Sequence, residues 1–391
     1  MSNAGPRVAI AESTAAPEWV LVSLERAFPG RKVLSARERS TNALDTYLTY
    51  EAIIDDGTAV IVRQRNEPPS RSEGEAEWAR QVFQSEVHIL RWLPARLSIS
   101  VPRLLHLEQS SLEYPHDAFI TTQLSGDTVA NCYTSLSSSA RENLVRSYAE
   151  FAVELFKLDV PQSIGTAAPG ESDDTLLVVP TLGASSRCHA TKIFDSLEDY
   201  LDHVFTLKRR ASILDTNDDD KFRAQAAISQ LIAHFKRLSS HLREPVLRHC
   251  VLAHRDLRDS DIMIDTDGRI TGVCGWRLHS IQPAILAAEY PPWLRYDGVD
   301  DPRFAPTHKP RLESPEEAAR LRKIYEERVK ALNGDYYIAL TQGTLLRAAV
   351  GWVLDVQDDR GCSRMREWML SSFGPPVSSP SPLDDARCII S

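Results

Sequence analysis

The stretch from Val251 to Trp276, VLAHRDLRDSDIMIDTDGRITGVCGW, constrains the fold of this chain more than any other. It opens with an apolar run that ends in His254-Arg255-Asp256. After Asp261, the apolar positions Ile262 and Ile264 lead into Asp265-Thr266-Asp267-Gly268, and a second apolar run, Ile270 to Val273, ends in Cys274-Gly275-Trp276. Two short apolar runs around an Asp-Gly turn predict a β-hairpin. The ends of that hairpin would hold acidic side chains close together.

This pattern resembles the catalytic segment of the aminoglycoside phosphotransferase and choline kinase family, relatives of protein kinases. The family motif is H-G-D-x-x-x-x-N, a hairpin, then I-D-W. The resemblance implies that His254 and Asp256 lie in a catalytic loop, with Asp256 as base or orienter of an accepting hydroxyl. It puts Asp261 where the family has a metal-binding Asn, and Gly275 where it has a second metal-binding Asp. Kinase chemistry uses those two ligands to hold Mg²⁺ against nucleotide phosphates. Gly275 has no side chain to coordinate a metal, so the chain keeps the frame of a phosphotransferase and lacks one of its central parts.

The rest of the chain extends the resemblance. Pro17 to Phe28 has helical spacing, and Val33 to Ala59 reads as a hairpin around Asp55-Asp56-Gly57. In the family a phosphate-covering loop follows the first strand, here Ser35 to Asp45. It contains no Gly, the residue that normally allows close backbone approach to a pyrophosphate. Arg63, on the third strand, stands where the family carries its phosphate-contacting Lys or Arg. Glu75 to Leu93 has apolar residues at helical spacing, and its Ser85-Glu86 resembles the family's S-E helix, which makes Glu86 the partner of Arg63. Val101-Pro102-Arg103 matches a strand entry. Ala118 to Leu124 reads as the last strand of a small lobe, and Gln123 would face an adenine if one binds. Solvent-exposed Arg and Glu are the plain alternative for residues 63 and 86.

Ala140 to Leu158 is an amphipathic helix, residues 166–192 read as loops, and Leu197–Leu207 and Phe222–Leu242 as further helices. The Asp-rich stretch 215–220 lacks calcium-loop spacing and reads as a solvated turn. Glu289-Tyr290-Pro291-Pro292-Trp293 resembles a segment common in fungal members of the family. Its aromatics, with Trp276, are candidates for a substrate-pocket wall, although core is the default for Trp. Ser314-Pro315-Glu316-Glu317 starts a helix with a cap, a first-turn Pro and acidic residues against the dipole. That helix stops at Asn333-Gly334, and a final helical pair follows over roughly 337–373. The expected organisation is an N-terminal extension and helix (1–29), a kinase-like small lobe (30–126), a helical lobe carrying the catalytic hairpin (127–373) and a Pro/Ser-rich tail (374–391). The expected fold class is α+β, a protein-kinase-like two-lobe fold.

Composition narrows the partners. A net charge of −9 argues against general nucleic-acid binding. The six cysteines show no C-x-x-C and predict reduced thiols rather than zinc or a disulfide scaffold. No apolar run approaches the roughly 20 residues of a membrane span, and no signal peptide is visible. The expectation is a cytoplasmic protein with a small-molecule substrate. Cys388-Ile389-Ile390-Ser391 fits a prenylation pattern, which would add weak, partly endomembrane association through Cys388.

Three functions compete for a cleft of this kind. The sequence places first a repurposed enzyme that acts without nucleotide on a hydrophobic metabolite by cyclisation or other natural-product tailoring, with His254 and Asp256 as catalytic groups and Trp276, Tyr290 and Trp293 as walls. No cofactor is expected in that case. The alternative is an ATP-dependent small-molecule O-phosphotransferase, with ATP held at Arg63, Glu86 and Gln123 and Mg²⁺ at Asp261. The second alternative is a non-catalytic binding protein with a degenerate site.

Overall fold

The computed structural model describes residues 16–39, 47–65, 73–109, 117–170, 175–182, 192–211, 225–234, 244–294, 314–355 and 359–374. The chain forms two compact units. The first contains Met1–Ser147, Gly165–Ile193 and Ala253–Ile281, and the second contains Tyr148–Ile164, Phe194–Leu252 and Gln282–Ser391.

The first unit is built on an antiparallel sheet of β1 (Val33–Glu38), β2 (Tyr47–Ile54), β3 (Ala59–Arg65), β4 (Leu104–Glu108) and β5 (Ala118–Thr122), in the order β1-β2-β3-β5-β4. The Asp55-Asp56-Gly57 sequence turns the chain between β2 and β3. Gly57 adopts φ +85°, and Asp56 accepts the Thr58 N–H at 2.8 Å. Both sheet faces are covered. Because side chains alternate along a strand, Tyr50 and Tyr47 point to opposite sides. Tyr50, Ala52, Ile54, Val60, Val62 and Ile120 pack with Val20 and Leu24 of α1 (Glu18–Ala27). Tyr47 meets Phe119 and Phe83, with Tyr47 and Phe119 edge to face at 5.8 Å between ring centres. Phe83 belongs to α2 (Glu73–Trp92), which buries ten residues, Glu86 among them. Each fully buried apolar side chain contributes about 1.5–3 kcal/mol, so two covered faces make this sheet a rigid platform.

Strand β1 runs through Glu38, so the expected phosphate-covering loop loses its first residues, Ser35 to Glu38, to a strand paired with Tyr50–Ile53. Residues 40–46 lie outside the described part. The loop expectation for residues 166–192 also fails: Thr166–Pro169 and Leu176–Val179 pair as antiparallel strands. The run Thr-Ala-Ala-Pro carries little strand propensity; the pairing comes from tertiary contact with α2. There the Ser85 hydroxyl donates to the Ala167 carbonyl at 2.9 Å. His279 lies beneath this contact, its Nδ1 2.8 Å from the Trp276 carbonyl and its Nε2 3.2 Å from the Ala167 carbonyl. The predicted hairpin forms from Ile262–Ile264 and Ile270–Val273, and Asp127–Thr128 pairs with its first strand. Gly268 takes φ +79° in its turn.

The second unit is mainly helical. Ser314 caps Pro315–Leu332, as its sequence predicts, by accepting the Glu317 N–H at 3.2 Å. The expected final pair is three helices, Gly334–Gln342, Thr344–Asp355 and Asp359–Phe373. A tyrosine cluster fixes the Glu289–Trp293 segment. The Tyr325 and Tyr336 hydroxyls are 2.7 Å apart and lie 3.0 and 3.2 Å from the Glu289 carbonyl.

Burial holds the His279 imidazole down to about 4. A folded pKa below the unfolded value gives stability that is complete above about 6.5 and is lost as pH falls through about 4. Urea unfolding at pH 7 and pH 4.5 should therefore show a loss on the order of 2 kcal/mol from this group, and His279→Gln should remove that share of the pH dependence.

Candidate active site

Three parts of the first unit converge on one polar cavity of about 280 Å³: strands β2 and β3, helix α2, and the loop around the catalytic-type hairpin. From β3, Arg63 reaches Glu86 on α2, Nη1 to Oε1 at 2.9 Å, and Glu86 has 0% exposure. Arg63 and Glu86, paired in the sequence reading by resemblance, therefore stand together. Tyr47, from β2, buries its hydroxyl beside this pair. Burial first, and the Glu86 carboxylate second, push the phenol well above its ordinary range. The second Glu86 carboxylate oxygen is buried without a hydrogen bond of normal geometry.

His254 ends the strand Cys250–His254. Its Nε2 lies 3.0 Å from the Cys274 carbonyl, an acceptor only, so the ring donates there. The ring also packs 4.8 Å from Trp276. His254 is absent from the cavity wall; it ties the loop to the end of the hairpin. Its Nε2 is thus committed to backbone rather than to the cavity. Asp256 does line the cavity, but Arg258 grips it with two bonds, at 2.8 and 3.2 Å.

Asp261 is the most tightly specified group. It ends a short turn, Asp259–Asp261, in which its carboxylate accepts the Arg258 N–H at 3.0 Å and its own N–H donates to the Arg258 carbonyl at 2.9 Å. Its carbonyl accepts the Cys274 N–H at 2.8 Å, which brings the hairpin's far end alongside. Burial pushes the Asp261 carboxyl up to about 6, and the charge of Asp256 adds to the rise. The sign follows: the stability linked to protonated Asp261 is complete below about 3.8 and is lost as pH rises through about 6.

Gly275 stands against that carboxylate. Its φ is +81°, and a Cβ built there would lie 2.9 Å from both Cγ and Oδ1 of Asp261. Any side chain at 275 would be strained by the backbone and would collide with Asp261. The residues present therefore do not fit the two-ligand metal clamp implied by the resemblance. One position has no donor, and the other position's carboxylate fills the space that a donor would need. Among the described residues no group of three His, Cys, Asp or Glu side chains is arranged to hold a metal.

The remaining sequence candidates fall elsewhere. Gln123 follows β5, its N–H bonded to the Ala59 carbonyl at 3.0 Å, and its side chain is exposed outside the cavity wall. Trp276 has 0% exposure and donates its indole N–H to the Val273 carbonyl at 3.0 Å, so it is core rather than pocket wall. Trp293, at 8% exposure, packs edge to face on Tyr148 at 5.4 Å within the second unit and is core as well. Tyr290, in the same unit, donates to Glu326 at 2.6 Å, with Arg322 over its ring. Cys388 lies outside the described residues. The cavity also contains Tyr47, Thr49, Arg258, Ser260 and Arg277, which the sequence reading did not single out. Thr49 was legible in retrospect, two residues from Tyr47 and so on the same strand face. Arg277, beside the buried Trp276, carried no periodic signal.

Residues 46–286 match the phosphotransferase enzyme family. The chain belongs to that family. Clavilactone A biosynthesis cluster protein Y of Ampulloclitocybe clavipes is 37% identical to it over 374 residues, which cover 91% of each chain. Among solved structures, the streptomycin–ATP–APH(2″)-IIa ternary complex aligns with a TM-score of 0.53 at 13% identity, covering 92% of this chain and 97% of that one. The gentamicin–APH(2″)-IIa complex aligns at 0.51 and 13% identity, covering 92% and 94%. The fold is thus the α+β, kinase-like fold of the phosphotransferases. Among the described residues, no helix is long and apolar enough to cross a membrane.

Gly275→Ala should destabilise the folded protein by about 1–3 kcal/mol through strain and contact with Asp261. Gly275→Asp should be worse, and should fail to restore Mg²⁺-dependent nucleotide binding. Chemical denaturation, with calorimetric titration of Mg²⁺-ATP, reads both; a Gly275→Asp protein that is stable and binds Mg²⁺-ATP would refute this account of the site.

Proposed function

We propose that the protein performs a nucleotide-independent tailoring step on a small metabolite of a biosynthetic pathway, using the phosphotransferase fold without its metal clamp. The observation that carries this reading is the contact between Gly275 and Asp261, which replaces a pair of metal ligands with one half-buried carboxyl. A carboxyl near 6 exchanges protons readily at physiological pH, in the range suited to general acid–base work. Asp261, rather than His254 or Asp256, is then the acid–base group. It would take a proton from a C–H or O–H of the substrate and return it to another atom of the same molecule, as in a tautomerisation or cyclisation. No co-reactant is consumed.

The guanidinium groups of Arg63 and Arg277 line the same cavity and would stabilise an enolate or alkoxide as it forms. The charged lining suits the oxygen-bearing end of an otherwise apolar metabolite, since the expected aromatic walls at Trp276 and Trp293 are core. The likeness to a clavilactone biosynthesis cluster protein supports a place in natural-product metabolism.

A second reading, an ATP-dependent O-phosphotransferase, is favoured by one observation, the part-buried Arg63–Glu86 pair at 2.9 Å. It would leave Asp261 as the sole carboxylate at the family's metal positions.

Incubating the pure protein with intermediates of its own gene cluster, with and without Mg²⁺-ATP, separates the readings. The expected result is turnover that needs no ATP, loses roughly 10²–10⁴-fold in Asp261→Asn, and in the native protein follows one ionisation near 6. Product gaining a phosphoryl group only when ATP is present would establish the second reading. Tight binding of an intermediate without any conversion would overturn both.

A further inference from the structure

We propose that the first unit holds a second small-molecule site, on the other side of α2 from Asp261, which takes an amphipathic organic anion. The proposal does not rest on the reading of the first cavity. Neighbouring residues of α2 face opposite ways: Glu86 reaches Arg63, whereas Ser85 and His88 lie in the wall of a separate cavity of about 1190 Å³. Small-molecule sites commonly enclose roughly 300–1,000 Å³, so this space is large enough for a metabolite.

The lining has two chemical parts. Its apolar part includes Phe83 and Val87 of α2, together with Ala168 and Leu182, all four buried. Its polar part is cationic. The Arg65 guanidinium is bound to Asp117 at 2.8 Å, which balances that charge locally. Arg91, in the last turn of α2, is exposed and has no carboxylate partner among the described residues. Gln84, seven residues earlier and so on the same face of the helix, is exposed and adds an amide to the same rim.

A solvated helix face would account for Arg91 and Gln84 taken alone. It does not account for their standing over a large cavity with a buried aromatic and aliphatic floor. Apolar surface next to an uncompensated guanidinium fits a molecule with a hydrocarbon body and an anionic head. The wall that such a molecule would touch is held in place: Ser85 is hydrogen-bonded to Ala167 at 2.9 Å, which fixes α2 against the strand Thr166–Pro169.

The test is a fluorescence titration of the full-length protein with 8-anilinonaphthalene-1-sulfonate, followed by competition with decanoate and with decanol. The expected result is one saturable site per chain, displaced by decanoate at least tenfold more effectively than by decanol. Arg91→Ala should weaken dye binding several-fold and Arg91→Glu more than tenfold; both changes are at an exposed position, and unchanged unfolding midpoints would verify that the fold is intact. Asp261→Asn should leave dye binding unaltered. Equal displacement by decanol and decanoate, unaltered affinity in both Arg91 variants, or loss of the dye in Asp261→Asn would each overturn the proposal. The last would put the dye in the first cavity.

Discussion

The Asp261 carboxylate, wedged between the Arg258 amide and the backbone of Gly275, is the contact on which the site depends. A metal ligand in this fold normally shares its charge with a cation. Here burial raises the carboxyl to about 6, against the opposing pull of the one peptide N–H, from Arg258, that it accepts. The same contact dictates its neighbour. With the carboxylate 2.9 Å from where a Cβ would sit, and a backbone at φ +81°, a side chain at residue 275 would meet backbone strain and displace that carboxylate.

Around that contact the phosphotransferase frame remains in place. The sheet is covered on both faces, by α1 on one side and by α2 on the other, so β3 and α2 hold Arg63 and Glu86 in register without help from a ligand. His254 serves the same end. By donating to the Cys274 carbonyl, it pins the loop carrying Asp256 to the hairpin end carrying Gly275. His254, which by its place in the sequence resembles a catalytic histidine, braces the loop here through its Nε2.

Opposing charges fill the first cavity. Arg63 is matched by Glu86 and Arg258 by Asp256, and Asp261 and Arg277 also line the space. The exposed Arg258–Asp256 pair contributes little net stability because solvent screens it, and in the part-buried Arg63–Glu86 pair desolvation offsets much of the attraction. Their effect is instead to fix side-chain positions around a small polar space.

The sequence by itself determined the hairpin, its turn, the two long N-terminal helices and the identity of the family-type residues. These follow from local rules: an Asp-Gly turn between apolar runs, helical spacing in Glu73–Trp92, and a capped start at Ser314. It also carried the pairing of Arg63 with Glu86, since their places in a strand and a helix are fixed by motif. Only the tertiary structure decided what depends on packing between distant segments. It paired Leu176–Val179 with Thr166–Pro169, whose own sequence carries little strand signal. It sent Trp276 and Trp293 into the core, because an aromatic residue near a motif reads alike whether it faces a pocket or fills one. And it set Gly275 against Asp261, fourteen residues apart in the chain, where steric contact and burial rather than residue type determine which group can titrate.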